Sequence, residues 1–491
     1  MKIVKLTAPF LLGLLVFFSC RKDEWDKRGA ITDPSVTQTL LEEIKADTSL
    51  SLFAAYLAKT GYDSVIASSK TYTVWAPDNA ALRSIDQSYI TDTARLRLLI
   101  GNYIATQAYF SANAADTTLR IATLNGKRVN YTGDSLNTVA IATKDIRAKN
   151  GALHILTQAF LPQPNIWDYL NENYAGTLQQ SYLQTLQYQY QDPDSAVLIG
   201  LDPNTGVPVY KEGTGMVTRN RFLQRVNITS EDSLVTYIVL TDAAYQAQQG
   251  RLTTYFTDST QSATDSLTQW NVVKDLAVQG IVSPDNIPAT LYSIRDSLNI
   301  HLDKASIVST QKVSNGIVYV VNNLNYDLIT KIKPVTIQGE RFLDRMNTTS
   351  AYTIRTRRNP ANDSVFNDIL MQNYGIASFW IRYPTTLNSV TYHVYWRAVN
   401  DFQTATFPMM VAFKEHSDTS YATNPNPANL PFDLKLPYTT VPLLDYDDVY
   451  LGDFTPAMHQ QEDLFIIGNN VTTNGNNTIV LDYIKLVPVL N

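Results

Sequence analysis

The chain has 491 residues, with 39 Lys and Arg against 45 Asp and Glu, and its net charge of −6 excludes the basic footprint that nucleic acid phosphates demand. Hydrophobic residues make up 44%, ample for packed cores, whereas charged residues make up only 17% and tyrosine alone contributes 29. That balance suits an exported surface that hydrogen-bonds through neutral groups, and the single cysteine excludes a disulfide framework, which needs an even count.

Lys2 and Lys5 precede an apolar run from Leu6 to Phe18 that is too short to span a bilayer comfortably, the pattern of a secretion signal. It closes at Phe17-Phe18-Ser19-Cys20, which resembles a bacterial lipoprotein signal. The resemblance implies that residues 1–19 are removed and that Cys20 becomes the lipid-bearing N-terminus; several acyl chains on one residue anchor stably. Residues 20–34, with the charged run Arg21 to Arg28, cannot pack into a core and are expected to form a tether. Its Lys22-Asp23-Glu24 resembles the export signals that send some Gram-negative lipoproteins to the outer face of the outer membrane. No later segment has the length or purity of a transmembrane helix, so the lipid is the one membrane contact expected.

Residues 35–162 read as a first α+β domain. Leu40, Leu41, Ile44, Leu52, Phe53, Tyr56 and Leu57 recur near the helical period, so two short helices open it. Thr71 to Trp75 alternates in the β manner, Pro77 ends the strand, and Asp78 or Asn79 caps a helix carrying Ala80, Ala81 and Leu82. A further helix holds Leu96 to Ile104, and from Leu119 strands follow with turn signals at Asn125-Gly126 and Thr132-Gly133-Asp134.

Two of these blocks recur. Thr73-Val74-Trp75-Ala76-Pro77-Asp78-Asn79 is echoed by Thr236-Tyr237-Ile238-Val239-Leu240-Thr241-Asp242, and Asn150-Gly151-Ala152-Leu153-His154 by Asn315-Gly316-Ile317-Val318-Tyr319, at offsets of 163 and 165 residues. The first pair of blocks, with the Leu161-Pro162 exit, resembles a fasciclin domain. Residues 163–332 resemble a divergent second copy in which Leu240 replaces the proline and Tyr319 the histidine, with an insertion from Asp192 to Gly215. The resemblance implies a binding or adhesion role without catalysis. Where animal fasciclin domains carry a Tyr-His motif linked to integrin binding, this chain has Tyr103-Ile104, so that adhesion is not carried over.

Past Pro334 the texture changes to short β-rich stretches, among them Ser378 to Tyr383, Thr391 to Ala398, Met409 to Phe413, Val449 to Phe454, Leu464 to Gly468 and Thr478 to Val489. Residues 333–491 are expected to form a β-sandwich, and the closing run Ile479 to Pro488 resembles the last strand of jelly-roll carbohydrate-binding modules. The fold class is therefore α+β and all-β multidomain: two fasciclin-like domains followed by a jelly-roll-like sandwich.

No reaction is legible. His154 fits a buried structural residue, and His301, His393, His416 and His459 lack metal-binding spacing. Asp445, Asp447, Asp448 and Asp453 form the densest acidic group, read either as a solvated turn or as a structural calcium site, the single cofactor considered. Trp380, Tyr383, Tyr395 and Trp396 are the candidate ligand residues, because sugar rings stack on exposed aromatic faces; core packing is the competing reading. Triplets such as Asp92-Thr93-Ala94 and Asp363-Ser364-Val365 resemble acceptor sites of bacterial O-glycosylation, and also suit caps and turns.

The expectation is a non-catalytic lipoprotein facing outward from a Gram-negative outer membrane and binding glycan or a surface protein. An accessory subunit docked on an outer-membrane transporter, and a polysaccharide hydrolase with carboxylates hidden from motif reading, stand as alternatives. Cys20→Ala is expected to release soluble protein on cell fractionation; a variant still bound to membranes contradicts lipid anchoring.

Overall fold

The structure, a computed structural model, describes residues 36–346, 351–372, 379–423, 426–427, 429–469 and 477–490. Cys20, the signal, the tether and Ser378 lie outside the described residues. The chain forms two compact units, one of residues up to 173 with 228–234 and 312–317, the other of 174–227, 235–311 and 318 onward.

In the first unit, Thr39 and Glu42 form a capping box on the helix Leu40–Ala46, which turns Leu40 and Ile44 inward. Helix Ser51–Thr60 stops at Gly61, whose φ of 74° suits glycine. The strand Tyr72–Pro77 does not alternate as expected: all six residues are buried. The reason is its position, between Ile104–Ala105 and, in parallel, Gly151–Leu156, inside a seven-stranded sheet. A strand covered on both faces reads as a continuous apolar run. Asp78 accepts from the Ala81 N–H and starts the helix Asn79–Arg83, as the sequence suggests.

The Asn-Gly block is a clamp. Asn150 Oδ1 accepts from the Leu40 N–H (2.9 Å), and its Nδ2 donates to the carbonyls of Ile66 (2.7 Å) and Ser68 (3.4 Å). Gly151 is required beside it, since a Cβ there would lie 1.8 Å from the Tyr72 carbonyl oxygen. The later block repeats the pattern bond for bond. Asn315 Oδ1 accepts from the Ile166 N–H (2.8 Å), and Nδ2 donates to the carbonyls of Ile228 (2.8 Å) and Ser230 (3.0 Å).

Further bonds correspond. Thr73 Oγ1 donates to the Gln107 carbonyl and accepts from Tyr109 N–H, as Thr236 Oγ1 does with Gly280 and Val282. Leu52 N–H donates to Asn79 Oδ1, and Leu178 N–H to Asp242 Oδ1, both at 2.8 Å. At the divergent position, Tyr319 O–H donates to the Val282 carbonyl (2.7 Å), where His154 Nε2 meets that of Tyr109 (2.9 Å). The substitution keeps the bond while changing the ring.

The segments 228–234 and 312–317 that join the first compact unit are held there by charge and by the second clamp. Glu231 pairs with Lys127 (2.9 Å) and Arg120 (3.9 Å), Asp232 with Arg128, and Arg120 donates to the Ser314 carbonyl (3.0 Å). These contacts, with Asn315, tie 228–234 and 312–317 into the first unit. The insertion around 192–215 forms two β-ribbons, Gln187–Gln191 with Met216–Asn220 and Leu198–Leu201 with Pro208–Tyr210.

The last third of the second unit is β-rich. Val335–Gln338, Tyr483–Pro488, Tyr392–Arg397 and Val449–Phe454 form one sheet; Asp344–Arg345, Trp380–Leu387, Gln460–Gly468, Phe407–Glu415 and Leu434–Lys435 follow one another in a second, with Thr439–Val441 also on Phe407–Glu415. Phe413 and Phe454, one from each sheet, stack at 3.8 Å. The single closing strand expected from Thr478 to Val489 is two strands. Ile479–Leu481 pairs with Val365–Met371, and the chain changes sheet at Asp482, which is buried against Arg397.

Asn150→Ala is expected to cost about 1–3 kcal/mol, because three partly buried backbone groups lose their partner. Urea unfolding of the intact protein checks it; a cost under about 0.5 kcal/mol contradicts the clamp.

Candidate functional site

Three of the four aromatic candidates are core. Trp380, Tyr383 and Trp396 are at most 3% exposed. Trp380 packs edge-on against Phe465, and Tyr383 O–H donates to the Gly339 carbonyl (2.8 Å). Along Tyr392–Arg397 burial alternates, with Tyr392, Val394 and Trp396 inward. Packing the inner face of a sheet is what removes them as stacking platforms.

Tyr395 is on the other face. Its cross-strand partner is Tyr450, and the two rings lie 5.5 Å apart at 56°. Tyr450 is 51% exposed. His393 meets the same ring edge-on at 5.7 Å and its Nδ1 lies 2.5 Å from Asp453 Oδ1, which also accepts from Tyr450 O–H (2.8 Å). On the far side Tyr395 pairs across the strand with Lys485. Lys485 and Tyr483 both donate to Asp448, at 2.9 and 2.6 Å, and the Arg397 guanidinium lies over the Tyr483 ring. The result is a row of tyrosines held by polar neighbours on a sheet surface.

The electrostatics fix the row. Hydrogen bonds from His393 and Tyr450 hold the Asp453 carboxyl below its ordinary value. Burial pushes Asp448 up, but bonds from Tyr483 and Lys485 and the nearby charges of Lys485 and Arg397 outweigh it, leaving it lowered. Asp448 and Asp453 are bound by separate partners, and Asp445 accepts from the Asp447 N–H in a turn. Among the described residues no group of three or more His, Cys, Asp or Glu is placed to hold a metal.

Tyr450 and Tyr483 were missed by sequence reasoning. Simple alternation in Val449–Phe454 would not have found Tyr450, because a register shift at Leu451 puts the buried residues Leu451 and Phe454 three apart and leaves Tyr450 exposed.

His154 is fully buried, its ring stacked on Trp75 at 5.9 Å and 16°. The Asp145 N–H donates to Nδ1 (3.3 Å), so Nε2 carries the proton and donates to the Tyr109 carbonyl. Burial lowers its pKa. A neutral ring with both nitrogens engaged is structural, as expected. Tyr103 is likewise core, exchanging bonds with the Phe160 carbonyl (2.6 Å) and N–H (2.8 Å). Asp92 caps the helix Thr93–Gly101, one of the expected roles of the Asp-Thr triplets.

Comparison with known proteins places a match to the fasciclin domain family at residues 48–162. The pig (Sus scrofa) transforming growth factor-beta-induced protein ig-h3 is 28% identical over 137 residues, 26% of this chain and 20% of that protein. The chain thus spans about a fifth of this relative. Among solved structures, a FAS1 domain pair from the insect cell adhesion molecule fasciclin I is 13% identical, covering 58% of this chain and 99% of its own, with a TM-score of 0.24. A family 35 carbohydrate binding module from Clostridium thermocellum is 14% identical, covering 32% of this chain and 99% of its own, with a TM-score of 0.20.

His154 also sets a pH dependence. The unfolded chain takes up a proton near pH 6.5 while the folded ring resists it, so this contribution is present above about pH 6.5 and is lost as pH falls through the lower folded value. The urea midpoint of the first unit is expected to drop between about pH 7 and 5, and His154→Gln to flatten the slope. An unchanged slope in the variant contradicts the assignment.

Proposed function

We propose that the protein is a non-catalytic surface lipoprotein, anchored through Cys20 and facing outward from a Gram-negative outer membrane, that binds glycan or a protein partner through its C-terminal sandwich. In this reading residues 35–162 and 163–332 are tandem fasciclin-like domains acting as a platform. The repeated asparagine clamp and threonine bridge support the tandem; the match at 48–162 and the likeness to the pig protein support the family of the first copy. Residues 333–491 carry the recognition surface.

The observation that carries the binding assignment is the outward row of Tyr395 and Tyr450 flanked by Lys485, Asp448 and Asp453. Sugar C–H groups stack on such faces, and the fixed polar groups around the rings supply orientation. Most carboxylates beside the row are already engaged, which favours binding over proton transfer.

Titrating the intact ectodomain with a panel of plant and microbial glycans tests this. Tyr395→Ala with Tyr450→Ala is expected to weaken binding at least about tenfold, roughly 1.4 kcal/mol, without moving the unfolding midpoint by more than a few degrees. Unchanged affinity for a bound glycan overturns the site, and turnover of any glycan overturns the non-catalytic reading. Co-purification with an outer-membrane transporter would favour the accessory-subunit alternative.

A further inference from the structure

A cleft of about 510 Å³ opens in the β-rich end of the chain and is lined by Glu415, Asp433, Gln460 and Glu462 with apolar Phe454 and Met458 among its walls. Glu415 and Glu462 are directly opposed on neighbouring antiparallel strands, a placement that like charges disfavour. Asp433 joins them, its Oδ2 accepting from the Glu415 N–H at 2.7 Å. On its other side Glu462 faces Thr385, which brings no charge.

Glu462 is 1% exposed. Its Oε1 accepts from Gln460 Nε2 (2.7 Å), while Oε2 is buried with no donor among the described residues. A buried carboxylate oxygen left without a donor is costly. Among the described residues no Lys, Arg or His lines the cleft. The cations on the same strands are spent elsewhere: Lys414 on Asp418 and the Pro431 carbonyl, His416 on Asp463, and Arg382 on Asp344 and Asp463. Burial pushes the Glu462 carboxyl up to about 7, a bond from Gln460 opposing and the charges of Asp433, Glu415 and Asp463 reinforcing the shift.

We propose that this cleft binds a primary ammonium carried on a small organic body, the ammonium seated between Glu462, Glu415 and Asp433. An ammonium has three donors and no coordination shell to complete, so it suits carboxyls that are not grouped to hold a metal. It supplies the missing donor to Glu462 and relieves the Glu415–Glu462 opposition, while the apolar walls take the carbon skeleton. A volume of this size holds one small molecule. The site is separate from the Tyr395 row and does not depend on it.

Calorimetric titration of the intact ectodomain with glucosamine and with 1,5-diaminopentane distinguishes a sugar body from an aliphatic one, and N-acetylglucosamine is the control that removes the charge. At least one amine is expected to bind at least tenfold tighter than the acetylated sugar. Glu462→Gln, and separately the more exposed Glu415→Gln, should each reduce that affinity at least tenfold, whereas Tyr395→Ala should leave it unchanged. Absence of binding by both amines at millimolar concentration, equal binding of the acetylated sugar, or full affinity in both Gln variants overturns the proposal. Loss of binding in Tyr395→Ala assigns the amine to the tyrosine row and overturns it as well.

Discussion

A half-buried carboxamide at the head of a strand is the contact on which the first unit depends. Asn150 receives the N–H that begins the helix Leu40–Ala46 and donates to two carbonyls at and just past the end of the helix Tyr62–Ile66. One side chain therefore ties both ends of the opening helical segment to the sheet. Asparagine alone offers an acceptor and two donors on so short a stem, and Gly151 must follow because the Tyr72 backbone closes over it. The same economy at Asn315 holds segments near 166, 228 and 230 together. Around such a frame other positions are free to drift, and the tyrosine at 319 shows how: a longer side chain reaches the same kind of carbonyl that the histidine at 154 reaches.

The β-rich end of the chain is organised by a different force. Its interior contains charge, with Arg382 between Asp344 and Asp463, Arg355 on Asp368 and Asp401, and Arg397 on Asp482. Buried ions persist only where each is paired and hydrogen-bonded, so these pairs constrain strand register more than they add stability. Asp482 also marks the point where the chain leaves one sheet for another, with its carboxyl raised to about 6 by burial against the opposing pull of Arg397.

Much of the first unit was legible because its signals are local. Asp78 as a cap, the Asn125-Gly126 turn and the helical spacing of Leu40 to Leu57 each need only a few residues of context. The likeness between the two pairs of sequence blocks was legible because those blocks carry corresponding backbone bonds. What escaped was tertiary. Alternation in Tyr392–Arg397 split the residues correctly into two faces but could not say which face is covered, so Trp396 and Tyr395 stood together as candidates until burial separated them. Tyr450 went unnoticed because its importance comes from a neighbouring strand. Within the acidic run, Asp448 is bound by Lys485 and Tyr483 and Asp453 by His393 and Tyr450, partners that lie on other strands or across the bulge and leave no trace in local sequence. Glu462 gave no signal, since a lone carboxylate becomes informative only once its surroundings are known.

The proposed reading assigns recognition to the β-rich end of the chain and support to the residues before it. Hydrogen-exchange mapping of the intact ectodomain, with and without a saturating glycan that it binds, addresses that division most directly. Slowed exchange confined to Tyr392–Arg397, Val449–Phe454 and Tyr483–Pro488 is the result expected; slowed exchange within residues 48–162, with those three strands unchanged, would contradict it.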